Sequence, residues 1–238
     1  MSTQYLAAAI SGRKDWRSAL MALRRLAADA NNTKEVFKIM RALNAGTAKT
    51  GYERLLETEE GGRLAFEHAE IGALLSDSAA IAAFAPGTLG AAYAAFLVET
   101  GYTAEGLAAA SRVDDASREA PHPYAWFGRR TRDTHDLWHI LTGYRANDRL
   151  GEACLAAFYY AQTRGAGWAL IARGAGLRAL AAGSIKKLRA LREAYRNGRR
   201  AVWLHGEDYA LMLAEPLDAL RTRLGIVEPK AYRAAEAV

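Results

Sequence analysis

Apolar residues recur along this chain at three- and four-residue intervals, with no sustained two-residue alternation. That is the period of a helix and not of a half-buried strand. Only five prolines, at positions 86, 121, 123, 216 and 229, interrupt it. The pattern predicts helices over roughly 17–29, 34–45, 63–84, 88–99, 103–112, 122–145, 148–163, 168–182, 184–198 and 216–224. Local chemistry supports several of these boundaries. Asn32-Thr33 can cap the helix that starts near Lys34, and Thr88, just after Pro86-Gly87, can cap the helix that follows it. Pro216 suits a first turn, where a missing N–H costs nothing, and Gly225 suits the position just past a helix end. No Gly/Ser- or Pro-rich linker and no internal repeat divides the chain. The expected fold is all-α: a single compact multi-helix domain over residues 34–238, with residues 1–33 as an N-terminal helical segment that can be appended to it.

Composition narrows the function. The 238 residues are 51% hydrophobic and 24% charged, ordinary values for a chain that buries a large core without staples. The single cysteine, Cys154, excludes a disulfide framework or a multi-cysteine metal site and reads as a core residue. Lys and Arg number 32 against 26 Asp and Glu, so the chain favours anionic partners. Gly165–Gly183 is the nearest approach to a membrane-spanning run, and Arg173 and Arg178 break it. The first residues lack a basic stretch ahead of their apolar run, which argues against a secretory signal. Arg13–Arg25, with Asp15 and Asp29, reads as a folded helix. No GxxxxGK[ST] loop, GxGxxG turn or GxSxG elbow is present.

One dense polar cluster stands out: Arg132-Asp133-Thr134-His135-Asp136-Leu137-Trp138-His139, followed by Gly143 and Gly151-Glu152. At about 100° per residue, His135 and His139 lie about 40° apart around a helix, so both imidazoles can reach one point. Arg132, Asp136 and Gly143 fall on the same arc. Two imidazoles with nearby carboxylates suit a borderline divalent cation such as zinc. Glu152 can add an oxygen if the turn after Tyr144 brings the next helix back alongside. The alternative is a salt-bridged polar face in which Arg132 and Asp136 pair at i,i+4 and Glu152 simply favours a helix start. His68, His122 and His205 have no ligand spacing and read as structural or surface residues.

The string His135-Asp136-Leu137-Trp138-His139, then Leu141-Thr142-Gly143-Tyr144 and Leu150-Gly151-Glu152, resembles the signature of the coenzyme Q protein four family of ubiquinone biosynthesis, in its bacterial type. The segment Pro86-Gly87-Thr88-Leu89-Gly90 with Tyr93 and Phe96, Arg132, Gln162, the run Asn197–Ala201, and Leu220-Arg221 with Leu224-Gly225-Ile226 are also similar to family positions. The resemblance spans roughly residues 34 to 226. One departure is visible: twelve residues, Ile140 to Gly151, separate His139 from Glu152, one more than the family pattern, with the extra residue in the turn between Tyr144 and Leu150.

The resemblance implies an α-helical protein whose metal, zinc by the family's description, is held by His135, Asp136, His139 and Glu152. It implies work on a polyprenylated hydroxybenzoate precursor of ubiquinone, with loss of the carboxylate at C1. On that reading Arg132 clamps the leaving carboxylate, and Gly143 and Trp168 are candidate substrate-binding positions. An oxidative version would need iron or manganese with O₂, because zinc has no redox chemistry. The expectation is therefore a metal-dependent carboxy-lyase of ubiquinone biosynthesis; the alternative is a non-catalytic lipid-binding scaffold that organises the pathway's other enzymes.

Two further segments fit a lipid substrate. Gly165–Gly183 is rich in Gly and Ala, which leave room for a prenyl tail or build a tight helix seam. In the helix over 184–198, Ile185, Leu188, Leu191 and Tyr195 are expected to form an apolar face. Lys186, Lys187, Arg189, Arg192, Arg196, Arg199 and Arg200 are offset by one acid, Glu193. Such a helix can lie on an anionic membrane surface, each basic residue contributing about 1 kcal/mol, or be a solvated face. Nucleic acid is not expected, because no stacking platform accompanies the charge. The expected location is cytoplasmic, on the inner face of the membrane, with a homodimer allowed.

Overall fold

Two of the expected helices, 63–84 and 122–145, are broken into shorter ones. The computed structural model describes residues 13–28, 33–44, 46–112 and 120–236. Among the described residues it contains sixteen α-helices, a short 3-10 turn and no strand, so the chain is all-α. The segment 63–84 becomes α4 (Glu59–Phe66), α5 (Ile71–Ser76) and α6 (Ser78–Ala82). His68 turns the chain with φ 50, and Asp77 caps α6 by accepting from Ala79 N and Ala80 N at 3.1 and 3.0 Å. The segment 122–145 becomes α9 (Pro123–Asp133) and α10 (His135–Thr142). Between them Thr134 donates its hydroxyl back to the Arg130 carbonyl (2.9 Å), a bond that competes with the helical ladder.

Most of the remaining helices follow the expected spacing, but the helices Thr47–Leu55, Tyr209–Met212 and Lys230–Glu236 are additional to those expected. α1 (Trp16–Ala28) and α2 (Thr33–Leu43) pack side by side, and Ala19, Ala22, Ile39 and Leu43 seal a small core between them. The proposed cap at Asn32 lies outside the described residues. α3 (Thr47–Leu55) precedes α4, and α7 (Leu89–Thr100) is capped by Thr88, whose hydroxyl accepts from Ala91 N at 3.3 Å. α8 (Ala104–Arg112) leads toward α9. α11 (Arg149–Thr163) occupies the centre, with α12 (Ala166–Ala181), α13 (Ile185–Arg200) and α16 (Lys230–Glu236) packed on it. The 3-10 turn Leu204–Gly206, α14 (Tyr209–Met212) and α15 (Leu217–Arg223) close the far side. Pro216 stands just before α15 and Gly225, with φ 65, just after it.

The main core surrounds α10 and α11. Leu137, Trp138, Leu141, Cys154, Leu155, Phe158 and Tyr159 are all fully buried there. Each such aliphatic or aromatic burial contributes about 1.5–3 kcal/mol, so this face of α10 anchors whatever its other face presents. The expected apolar face of the 184–198 helix holds in part: Leu191 is buried together with Ala190, Ala194, Asn197 and Gly198 of α13, and Leu188 and Tyr195 are half-buried, while Ile185 is 63% exposed. Small side chains let α13 approach α11 closely, and that contact outweighs the pull of the larger residues. Among the described residues no helix is long and apolar enough to cross a membrane.

Candidate metal centre

The histidines of α10 lie where their four-residue spacing puts them, with ring centroids 4.9 Å apart. What aims them is the end of the helix. Gly143 adopts φ 75, a left-handed conformation that a side chain disfavours, and its N–H closes the last turn on the His139 carbonyl (2.9 Å). The reversed chain then brings the Tyr144 carbonyl to His139 Nδ1 at 2.8 Å. A carbonyl can only accept, so Nδ1 carries the proton and the lone pair of Nε2 is free, the tautomer that ligates a metal. Arg221 of α15 holds the same end by donating to the carbonyls of Ile140 (2.8 Å) and Leu141 (3.0 Å).

Glu152 arrives from the opposite helix. Asp148 caps α11, accepting from Leu150 N (3.2 Å) and Gly151 N (2.8 Å), a bond set contributing about 1 kcal/mol. Gly151 has no side chain because a Cβ would stand 2.2 Å from the Arg145 carbonyl, so the turn and the helix start are pressed together there. Tyr232 of α16 braces that turn: its hydroxyl donates to Asp148 Oδ2 (3.0 Å) and accepts from Arg145 N (3.2 Å). The extra residue between His139 and Glu152 is absorbed, and Glu152 Oε1 stands 3.4 Å from His139 Nε2 and Oε2 stands 4.0 Å from His135 Nε2.

The three ligand atoms all lie within 4.8 Å of one another. Tetrahedral zinc with bonds near 2.1 Å spaces its ligand atoms by about 3.4 Å, so the donor set fits such an ion with small rotations. His139 Nε2 is fully buried without a hydrogen-bond partner. Leaving a buried acceptor unpaired costs about 1–3 kcal/mol, which an ion would relieve. Without an ion the electrostatics divide the two rings, leaving His135 neutral and favouring a charged His139 against Glu152. Burial, and then the neighbouring His139, pushes the His135 pKa down to about 4, which keeps its lone pair available. Burial opposes charge on His139, but Glu152 and the Tyr144 carbonyl outweigh it and raise its pKa. Burial likewise opposes charge on Glu152, but His139 wins and lowers it. Glu152 is ringed by protein, yet its side chain is 45% open because it faces a cavity.

That cavity has a volume of about 1650 Å³ and is lined by His135, Asp136, Glu152 and Arg132 at one part, and by Trp168, Ile171, Gly174 and Ala175 of α12 at another. The other expected site residues fall as follows. Asp136 is buried, which lifts its carboxyl to about 6, and it lines the cavity outside the group of three converging ligands. Arg132 pairs with its neighbour Asp133 (Nε to Oδ1, 2.6 Å), so the expected Arg132–Asp136 pair is replaced by one between adjacent residues at the Thr134 break. Gly143 does not line the cavity; it shapes the backbone that orients His139. Trp168 does line it, stacked on Tyr159 at 4.4 Å. Tyr144, Arg221 and Tyr232 escape sequence reasoning about the site because each acts through backbone or from a distant helix.

A family model described as coenzyme Q (ubiquinone) biosynthesis protein Coq4 matches residues 16–230. The chain belongs to the Coq4 family. Its curated Coq4 relatives include a mitochondrial ubiquinone biosynthesis protein COQ4 homolog of Danio rerio, 32% identical over 182 residues, covering 74% of this chain and 63% of the relative. The corresponding protein of Bos taurus is 30% identical over 77% of this chain and 67% of its own length. That of Pyrenophora tritici-repentis is 30% identical over 76% of this chain and 61% of its own length. The chain thus spans a little over three fifths of the first of these Coq4 proteins. Among solved structures, a Nostoc punctiforme protein assigned to ubiquinone biosynthesis superposes with a TM-score of 0.65. At 22% identity, over 90% of this chain and 99% of that one, it shares the fold.

Proposed function

We propose that the chain is a metal-dependent carboxy-lyase that removes the C1 carboxylate of a polyprenyl-hydroxybenzoate on the route to ubiquinone. The observation that carries this reading is the convergence of His135, His139 and Glu152 within 4.8 Å of one another on a cavity of about 1650 Å³. His135, His139 and Glu152 hold the ion, and Asp136, beside them on the cavity wall, is the further oxygen that the family resemblance assigns. When bound, a divalent ion supplies a Lewis acid toward the substrate's carboxylate or phenolate. The C1–carboxylate bond breaks with its electron pair left on the ring, C1 takes up a proton, and CO₂ departs. Arg132 orients the carboxylate from the cavity wall, and the α12 residues Ile171, Gly174 and Ala175 cover the prenyl tail, at about 0.8 kcal/mol per methylene removed from water.

The same reading seats the protein on an anionic membrane surface. Leu177 (69% exposed), Leu180 (64%) and Ile185 crown the α12–α13 turn, next to Lys186, Lys187 and Arg189. Apolar residues ringed by cations are the composition of a surface that rests in a headgroup layer.

The deciding experiment is elemental analysis of tag-free protein with and without His135→Ala/His139→Ala, paired with release of CO₂ from a carboxyl-labelled prenylated hydroxybenzoate. Near-stoichiometric metal that is lost in the variant, with turnover lost and the fold retained, supports the enzyme. Zinc assigns the non-oxidative route; iron or manganese assigns an oxidative one with O₂ as oxidant. A specific observation favours a second reading: the three ligands join α10 to α11 and would staple them. If the variant loses metal and stability together while the wild type releases no CO₂, the chain is a lipid-binding scaffold for the pathway's other enzymes.

A further inference from the structure

His205 lines the same cavity and is used by nothing so far described. It sits in the 3-10 turn after α13, its residue only 1% exposed, and both Nδ1 and Nε2 are buried without a hydrogen-bond partner. Its walls are aromatic: Trp138 at 4.8 Å between ring centroids, Phe127 at 5.5 Å, Trp203 at 5.7 Å and Tyr159 at 6.1 Å. Tyr159 carries a second buried, unpartnered group, its hydroxyl. The opposite edge of Tyr159's surroundings is the metal corner, since His135 stacks on the same ring at 5.7 Å.

The backbone that carries this imidazole is held with unusual thoroughness. Gln162 Oε1 accepts from Leu204 N (3.0 Å), and Gln162 Nε2 donates to the carbonyls of Gly198 (2.7 Å) and Val202 (3.1 Å). Tyr209 donates its hydroxyl to the Leu204 carbonyl (2.9 Å). Buried Arg130 donates to the carbonyls of His205 (Nε, 3.4 Å) and Glu207. Three buried polar side chains therefore fix the turn, and the ring they position has its own hydrogen-bonding atoms unspent. A preorganised polar group that lacks a partner inside the protein is arranged for a partner from outside.

The chemistry of that partner follows from the surroundings. Burial, and then Arg130 and Arg54, hold the His205 pKa down to about 3, so the ring is neutral and offers one N–H donor and one acceptor. Arg130 has no carboxylate partner among the described residues and is balanced by carbonyls and by the faces of Tyr209 (5.5 Å) and Trp126 (6.0 Å). Its positive field favours an electron-rich oxygen nearby. A flat aromatic wall, a neutral imidazole and a cation with no carboxylate in direct contact together suit an aromatic ring bearing an oxygen.

We propose that His205 is the residue that recognises the ring oxygen of the substrate, hydrogen-bonding the phenolic hydroxyl of the head group against Phe127 and Trp203. This rests on the carboxy-lyase reading for the identity of the ring, but not on the metal ligands.

The test uses the full chain and two soluble probes, 3-dimethylallyl-4-hydroxybenzoate and its 4-deoxy counterpart 3-dimethylallylbenzoate, with binding followed by tryptophan fluorescence. The wild type is expected to prefer the hydroxylated probe by about tenfold. His205→Phe, which keeps the ring and removes the nitrogens, should abolish that preference while still binding the deoxy probe. His205→Gln, which keeps an N–H donor, should retain part of it. The ¹⁵N resonances of His205 should move with the hydroxylated probe alone, a signal that a purely structural role would not produce. An unchanged preference in His205→Phe, or unmoved His205 resonances on saturation with the hydroxylated probe, overturns the assignment. If the wild type binds neither probe, the hydroxybenzoate reading itself fails and takes this assignment with it.

Discussion

The α10–α11 hairpin and the α12–α13 hairpin are neighbours in sequence and mirror each other's surface. In the first, polar His139 and Asp136 are buried beside Trp138 and Tyr159. In the second, Leu177, Leu180 and Ile185 lie in solvent among lysines and arginines. Neither arrangement lowers the energy of the isolated fold, since a buried polar group must find a partner and an exposed leucine gains nothing. Each departure from the rule therefore marks a place where another molecule is expected: an ion and a ring inside the first hairpin, a surface against the second. The difference lies in how rigidly each is held. The first is capped, braced and back-bonded at Gly143, Asp148, Arg221 and Tyr232; the second is joined by the short turn at Gly183 (φ 65) and Ser184.

The contrast can be broken by four measurements. The largest effect is expected from His139→Ala, which should take bound metal from near one equivalent to background by elemental analysis and leave the second hairpin's vesicle binding unchanged. Next, Arg192→Glu/Arg196→Glu should lower partition onto anionic vesicles by about tenfold or more, with metal content unaltered; equal sedimentation of wild type and variant would remove α13 as the contact. Third, Gly143→Ala should cost about 1–2 kcal/mol in denaturant unfolding and weaken metal retention, because strain at φ 75 displaces the Tyr144 carbonyl from His139. A separate effect concerns acid. The His205 pKa is about 3 in the folded chain against 6.5 for the free side chain, so the unfolded chain takes up the proton first. Its contribution to stability is present above pH 6.5 and is lost as pH falls toward 3; His205→Phe should flatten that limb by about one proton.

Much of this was legible in the chain and some was not. The spacing of His135 and His139 is a local property, and so are the caps at Thr88 and Asp148 and the stop at Gly225; all lie within a turn of the residues they serve. The breaks at Asp77 and Thr134 depend on competing side-chain bonds that periodicity averages away. Ile185 misleads because hydrophobicity alone cannot tell which face of α13 meets α11; small residues decided it. Asp136 shares an arc with the histidines on a helical wheel, yet only Glu152, thirteen residues beyond His139 and on another helix, converges with them. A lone histidine such as His205 has no spacing at all, and its meaning comes from the four aromatic rings and three backbone clamps that tertiary structure gathers around it.

The brace from Tyr232 has a consequence in time. Asp148, whose cap shapes the turn between the two ligand-bearing helices, precedes that tyrosine by 84 residues. A ribosome delivers His135, His139 and Glu152 well before the hydroxyl that clamps their turn, and domains are built as the chain emerges. The converging side chains and the hydroxyl that braces their turn are therefore made at different times, the second only when α16 emerges.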